Sequence, residues 1–470
     1  MKDTLPKLTP ITSTWMHNII EDFKLQDALF NTYGSPLNIH SLPSFEDNIT
    51  EYQEVLNAYN FKSQLFFARK ANKFKNLIEA AVNSGIGIDT ASYEELKQCL
   101  DLQVESSKLI STAAIKNKEL LELALKHNVV IIIDNKDELI EIEKLVKSLD
   151  CVAQIGIRVS GFAYNKAKLF SRFGFDIEEV ESILDDYLKG NPSFNLKGFH
   201  FHLDGYSTAQ RGNALHQTIS LFESYKSTFP NLSFIDIGGG ILMNYLKSET
   251  EWQTFQEQLK EAILKKRPEL TYKNSGLGFT TRNGVVEGKL ATYPYFNTTT
   301  KANFLGEVLE TLNSQDIPVY KRLEDNEIEL RLEPGRSLLN QVGITMARVA
   351  HRKVDARGNH LIGLEMNMSQ LKSSSADFLL DPFVSYHNED ATQQPIEAYF
   401  TGAYCLEQDV ILKRKVALKQ LPSISDVVIF VNTAGYMMHF YETEAHLFKQ
   451  AQNVSIAEKK ESYNLKDFKA

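Results

Sequence analysis

Cysteine is scarce: only Cys99, Cys151 and Cys405 occur among 470 residues. Three thiols so far apart exclude a disulfide framework and offer no paired metal-ligand spacing, so free cysteines are expected. Long apolar runs are missing too. The longest aliphatic stretch, Val129 to Ile133, is far below the roughly 20 residues that span a bilayer, and the opening MKDTLPKLTP lacks the apolar core of a secretion signal. A cytoplasmic protein without membrane association is expected. No lysine or arginine run is long and the net charge is -9, which argues against a nucleic-acid surface. Internal repeats and low-complexity tracts are also lacking. What remains is an ordinary globular composition, 43% hydrophobic and 24% charged, with enough chain for two large cores.

From about residue 63 short β-type runs alternate with helical patterns. The runs are LFFARK (65–70), IGID (86–89), LISTA (109–113), VVIIID (129–134), IGIRV (155–159), FHFHLD (199–204), SFIDIG (233–238) and IELRLE (328–333). Phe74, Leu77, Ile78 and Ala81 repeat at helical spacing, as do Leu305, Val308, Leu309 and Leu312. Ser92 and Glu95 form a capping-box pattern. Eight strand-helix units predict an α/β fold, a (β/α)8 barrel, whose chemistry belongs at the C-terminal strand ends. The stretch from Gly240 to Glu333 is much longer than one barrel unit requires, so an insertion at about 241–327 is expected. Past Arg336 the pattern changes to alternating strands, with Gly343–Val354, a turn at Asp355–Gly358 and Val427–Phe430. This predicts a mainly antiparallel β domain over 341–470, joined by residues 1–43, beside a barrel over 44–340.

The unusual residues fall at the barrel's strand ends. Lys70 ends the first strand; desolvated on its inward face, its amine would become a nucleophile toward an aldehyde, whereas a lone lysine past a strand end is more often merely exposed. Asp89 ends the second strand and Arg158 lies near the end of the fifth. His200 and His202, two apart on the sixth, should face one way, either for a metal or for stacking on an aromatic cofactor. Gly238, Gly239 and Gly240 allow a turn that aims backbone N–H groups at a phosphate, though such a run is often only a turn. Glu333 and Arg336 close the eighth strand. A buried Glu333 needs a cationic partner such as a protonated pyridine nitrogen, Arg336 suits phosphate oxygens, and Gly335 permits close approach. A surface Glu333–Arg336 pair is the plainer alternative.

Together these segments resemble a known family. FFARKAN (66–72), GIDTASYEEL (87–96), SRFGF (171–175), GFHFHLDG (198–205), DIGGG (236–240), EPGR (333–336), GAYCLEQD (402–409) and NTAGYM (432–437) stand in the order seen in fold-type III pyridoxal-phosphate decarboxylases, the ornithine, arginine and diaminopimelate decarboxylase group. The resemblance implies pyridoxal 5'-phosphate as cofactor, an amino acid as substrate and loss of carbon dioxide as the reaction. It implies that Lys70 holds the cofactor as a Schiff base, that His202 stacks on the ring and that Glu333 meets the pyridine nitrogen. Gly240, Gly335, Arg336 and Tyr436 would bind the phosphate, with Asp89 and Arg158 close by. Cys405 would reach in from a neighbouring subunit to protonate the product, which implies a homodimer with shared sites and no resident metal.

Three departures bear on the substrate. Leu406 stands where diamino-acid decarboxylases of the family place an acid directly after the cysteine, with Glu407 one position later. Asp204 intrudes where the family has glycine and serine, leaving Tyr206 or Ser207 for phosphate contact. Arg69 replaces an apolar residue beside Lys70 and by alternation should face away from it, toward a helix carboxylate. A diamino or modified amino acid is therefore expected. The rivals are a racemase or other α-carbon enzyme on the same cofactor, and a catalytically inactive regulatory homologue.

Overall fold

The computed structural model describes residues 4–373, 378–390 and 392–470. These fall into two compact units, one comprising Met1–Phe45, Met243–Thr298 and Leu339–Ala470, the other Glu46–Leu242 and Thr299–Leu338.

The second unit is the expected barrel. Its strands are β1 (Ser63–Ala68), β2 (Gly87–Thr90), β3 (Leu109–Ser111), β4 (Val130–Ile133), β5 (Ala153–Ser160), β6 (Phe194–His200), β7 (Phe234–Asp236) and β8 (Glu329–Leu332). Every neighbouring pair is parallel, and β8 closes on β1 through Leu330↔Ser63 and Leu332↔Leu65. Parallel strands covered by helices need apolar side chains on both faces. Inside, Phe66, Ile110, Ile132 and Phe234 form one buried cluster. Glycines make room for it: a Cβ at Gly198 would lie 2.3 Å from the Phe234 ring, and one at Gly87 would lie 2.6 Å from Phe66. Each such phenylalanine contributes about 1.5–3 kcal/mol by burial. The Arg331 guanidinium closes over Phe234 at 3.8 Å.

Helices follow the strands where the apolar spacing places them. Ser92 caps the helix Tyr93–Asp101 by accepting from Glu95 N, while Glu95 reaches back to the N–H of Ala91, one residue beyond the usual capping-box partner. The helix Lys301–Leu309 stops short of Leu312, which is exposed, so the last repeat of that pattern lies outside it.

The first unit is built on a nine-stranded, mostly antiparallel sheet. Leu37–Ser41 pairs antiparallel with Gly343–Val354 and parallel with Gln452–Ile456, so the N-terminal strand is stitched between two C-terminal ones. Gly343–Val354 forms a hairpin with His360–Leu364 across the turn at Asp355, whose carboxylate accepts from the N–H groups of Arg357 and Asn359. Val427–Val431 is the strand expected at Val427–Phe430 and pairs antiparallel with Gly343–Val354. The 241–327 interval is divided: 243–298 groups with this unit, contributing the helix Glu249–Ile263 and the buried Tyr293 and Tyr295, and the remainder groups with the barrel.

Candidate active site

The barrel fold brings six sequence-marked positions to one end of the sheet. β1 ends at Ala68, and Lys70 sits in the following single turn, Arg69–Ala71. Its Nζ lies 3.0 Å from Asp89 Oδ2 on β2, and Asp89 Oδ1 accepts from Thr112 Oγ1 at 2.5 Å. The Lys70 side chain is 34% exposed while the Asp89 side chain is wholly buried. Burial pushes the Asp89 carboxyl up, Glu333 adds to that, and Lys70 and Thr112 pull it back. The strand stops short of both Arg69 and Lys70, so neither is on it as expected and its alternation does not set their directions; the turn sends Arg69 elsewhere. Its partners, however, are the Asn72 and Lys73 carbonyls and the Gln98 amide oxygen rather than a helix carboxylate.

Arg158, on β5, pairs with Asp134 at 3.5 Å and packs 4.4 Å over the Phe173 ring. Gly174 makes that approach possible, because a Cβ there would lie 2.7 Å from the Arg158 carbonyl.

The sixth strand corrects the sequence reading. It runs Phe194–His200, so His202 is not on it, and the two histidines do different work. His200 Nε2 is 3.2 Å from Glu333 Oε1. His202 Nδ1 instead accepts from Gly239 N at 3.1 Å. Burial, followed by the Arg211, Lys70 and Arg158 cations, holds His202 well below its ordinary value, so its ring is neutral near pH 7. The glycine turn packs too closely for side chains: a Cβ would lie 2.7 Å from His202 at Gly238 and 2.5 Å from the Glu333 carbonyl at Gly239, and Gly238 and Gly240 have φ of +66° and +78°.

Glu333 follows β8 directly and is buried. Around it the sequence reading missed a group. His200, Asp236 and Glu333 are all buried, with one ligand atom from each within 4.8 Å of the others. Asp236 Oδ1 accepts from Gly238 N at 2.8 Å, whereas Asp236 Oδ2, Glu333 Oε1 and both His200 ring nitrogens lack a hydrogen-bond partner. Burial and the Glu333 charge push Asp236 well above its ordinary value. Glu333 is also raised by burial, but Lys70 and Arg158 draw it down. Asp236 is held the higher of the pair and so keeps its proton to higher pH than Glu333, which accepts from it. The signal for Asp236 was its place as the only charged residue inside the apolar strand SFIDI.

Arg211 was also missed. It is buried, and its guanidinium donates to the carbonyls of Ile237, Gly205 and Gly240. Ser207, expected as a phosphate contact, caps the helix Thr208–Tyr225 by accepting from Gln210 N; Tyr206 and Asp204 are exposed beside it. Gly335 is buried and Arg336 half-buried past β8. Cys405 and Tyr436 belong to the other unit: Cys405 is an exposed free thiol next to half-exposed Leu406, and Tyr436 holds a left-handed φ of +71°. Glu407 lies 4.0 Å from Lys273 in that same unit.

The family described as pyridoxal-dependent decarboxylase, pyridoxal binding domain, matches residues 43–277. An uncharacterized protein, y4yA, of Sinorhizobium fredii is 29% identical over 420 residues, covering 88% of this chain and 86% of that protein. Diaminopimelate decarboxylase of Campylobacter jejuni is 28% identical over 242 residues, and the match spans 49% of this chain and 58% of that protein. Among solved structures, lysine decarboxylase from Selenomonas ruminantium superposes with a TM-score of 0.65 at 18% identity, covering 92% of this chain and 96% of that one. Diaminopimelate decarboxylase from M. jannaschii, in complex with L-lysine, gives 0.69 at 16% identity, covering 94% and 90%. These two structural likenesses are likenesses of fold.

Proposed function

The chain belongs to the pyridoxal-dependent decarboxylases, and on that premise we propose that it removes the carboxyl group of a diamino or modified amino acid, working as a homodimer with shared sites. The observation that carries the reading is the meeting, at the strand ends of one barrel, of the Lys70 amine on buried Asp89 and an orphaned carboxylate oxygen of Glu333.

These residues fit pyridoxal 5'-phosphate. A buried carboxylate with one oxygen outside any hydrogen bond suits a protonated ring nitrogen, a turn too tight for side chains suits a phosphate, and a primary amine suits an aldehyde. Lys70, Asp89, Arg158, His202, Gly238, Gly239, Gly240, Glu333, Gly335, Arg336 and Tyr436 would hold it. When bound, the cofactor supplies an electron sink for bond cleavage at the substrate's α-carbon.

The chain's own groups supply the rest. Asp89 Oδ2 accepts from Lys70 Nζ and so keeps the amine oriented. Glu333 Oε1, drawn toward its ionised form by Lys70 and Arg158, accepts a proton-bearing nitrogen without competing for its own proton, because Asp236 already carries one. Neutral His202 offers a flat ring that adds no positive charge. Arg336 neutralises phosphate charge. Cys405 Sγ, from a second copy, delivers a proton to the α-carbon after carbon dioxide leaves.

Leu406 supports the modified side of the substrate range, since an apolar residue beside Cys405 favours an uncharged distal group over an ammonium. Purified holoenzyme should release carbon dioxide from one class in a screen of diamino, basic and modified amino acids of both hands. Inversion of an amino acid with no carbon dioxide released would overturn this reading.

A further inference from the structure

Arg211 is a cation in a place where a cation is unfavourable. It lies in the first turn of the helix Thr208–Tyr225, whose N-terminal end carries the positive pole of the helix dipole. Its side chain is buried, and every acceptor it meets is a neutral carbonyl: Ile237 at 2.9 Å, with Gly205 and Gly240 at 3.4 Å each. Its Nε has no partner, and among the described residues no carboxylate pairs with it. The neighbouring titratable groups are His202 and the hydroxyls of Tyr52 and Tyr206, none of them an anion near pH 7, and burial draws the guanidinium down to about 10. A buried, unpaired charge of this kind is expensive unless an anion answers it.

The carbonyls it holds indicate where that anion belongs. Ile237 and Gly240 bracket the glycine turn. In a trans peptide the C=O and the following N–H point opposite ways, so drawing the Gly240 oxygen toward Arg211 turns the Ile241 N–H away from it. The N–H groups of Gly238 and Gly239 are already given to Asp236 and His202. Those of Gly240 and Ile241 donate to nothing among the described residues.

Resting on the cofactor assignment above, we propose that Arg211 is the buried counter-charge of the cofactor's phosphate, acting from behind the glycine turn and aiming the Ile241 amide at the anion, beside the unspent Gly240 N–H.

The test compares pyridoxal phosphate with pyridoxal, the same aldehyde without its anion, on apoenzyme titrated by cofactor absorbance and protein fluorescence. Arg211→Gln should weaken pyridoxal phosphate by about tenfold to a hundredfold, as expected for a lost charge-assisted contact, and leave pyridoxal within about threefold. Arg211→Lys, which keeps the charge but gives up the forked geometry, should retain the preference to within about tenfold of wild type. Inorganic phosphate should raise the melting temperature of wild-type and Lys apoenzymes but not of the Gln variant. Equal weakening of both aldehydes by Gln, or a Lys variant as deficient as Gln, would overturn the proposal and leave Arg211 as a structural clamp. Should wild-type apoenzyme bind neither aldehyde, the cofactor assignment itself would fail, a different outcome from either of those.

Discussion

Replacing Asp236 by asparagine should leave the apoenzyme as stable as wild type or more so at neutral pH, while alanine should be less stable than asparagine by about 1–3 kcal/mol. Both expectations come from the proton that Asp236 carries. Its Oδ1 accepts from Gly238 N at 2.8 Å, a contact that the asparagine carbonyl reproduces and alanine deletes, leaving a buried donor stranded. The asparagine amide also offers a hydrogen toward Glu333 in place of the carboxyl proton. In the unfolded chain the group titrates near 3.8, whereas the native group, buried beside Glu333, keeps its proton to higher pH. The native state therefore binds more protons than the unfolded state above that pH, and stability falls as pH rises through the window up to the native value. Each unit of that upward shift is worth about 1.4 kcal/mol, all of it absent from asparagine. Wild type and Asp236→Asn should thus melt together at about pH 4 and separate in favour of asparagine toward about pH 7. Alanine, which also lacks the carboxyl, should melt lower than both at about pH 4, by roughly 2–4 °C per kcal/mol for a unit of this size, and should stay below asparagine while closing on wild type toward about pH 7. Thermal denaturation followed by circular dichroism measures all three. If asparagine were as damaging as alanine at neutral pH, Asp236 would have to be ionised in the native protein, and the division of labour with Glu333 would be wrong.

Glu333→Ala should keep cofactor absorbance yet lose most turnover, and full turnover would remove Glu333 from the mechanism. Cys405→Ala should bind cofactor normally and slow product formation. Mixing Lys70→Ala subunits with Cys405→Ala subunits should raise activity above that of either variant alone; no gain would mean that the sites are not shared.

The barrel was legible because its strands are short apolar runs at regular spacing, and parallel strands buried on both faces have little else to encode. Lys70, Asp89 and Glu333 were legible because charges at strand ends interrupt those runs. The sixth strand was misjudged because Phe201 and Leu203 continue the apolar alternation past His200, where pairing with β7 has already ended at His200↔Asp236. What replaces the pairing is a tertiary contact, Gly239 N to His202, which local pattern cannot show. Arg211 reads locally as a helix-surface charge. Its neighbours held a signal: Ala214, Leu215, Thr218, Ile219 and Phe222 form the buried stripe of that helix, and Arg211 continues the stripe backward by one turn. The division of 241–327 between two units was not legible, because the helix Glu249–Ile263 carries the same amphipathic pattern whichever core it covers.

The central claim is that the cofactor is carried on Lys70. Reducing the holoenzyme with borohydride would fix the bound aldehyde to its lysine, and peptide mass spectrometry would locate the pyridoxyl group. The label should fall on the peptide containing FFARKAN, at Lys70, and be absent from Lys70→Ala. A label on any other lysine, or an undiminished one in the variant, would contradict the account.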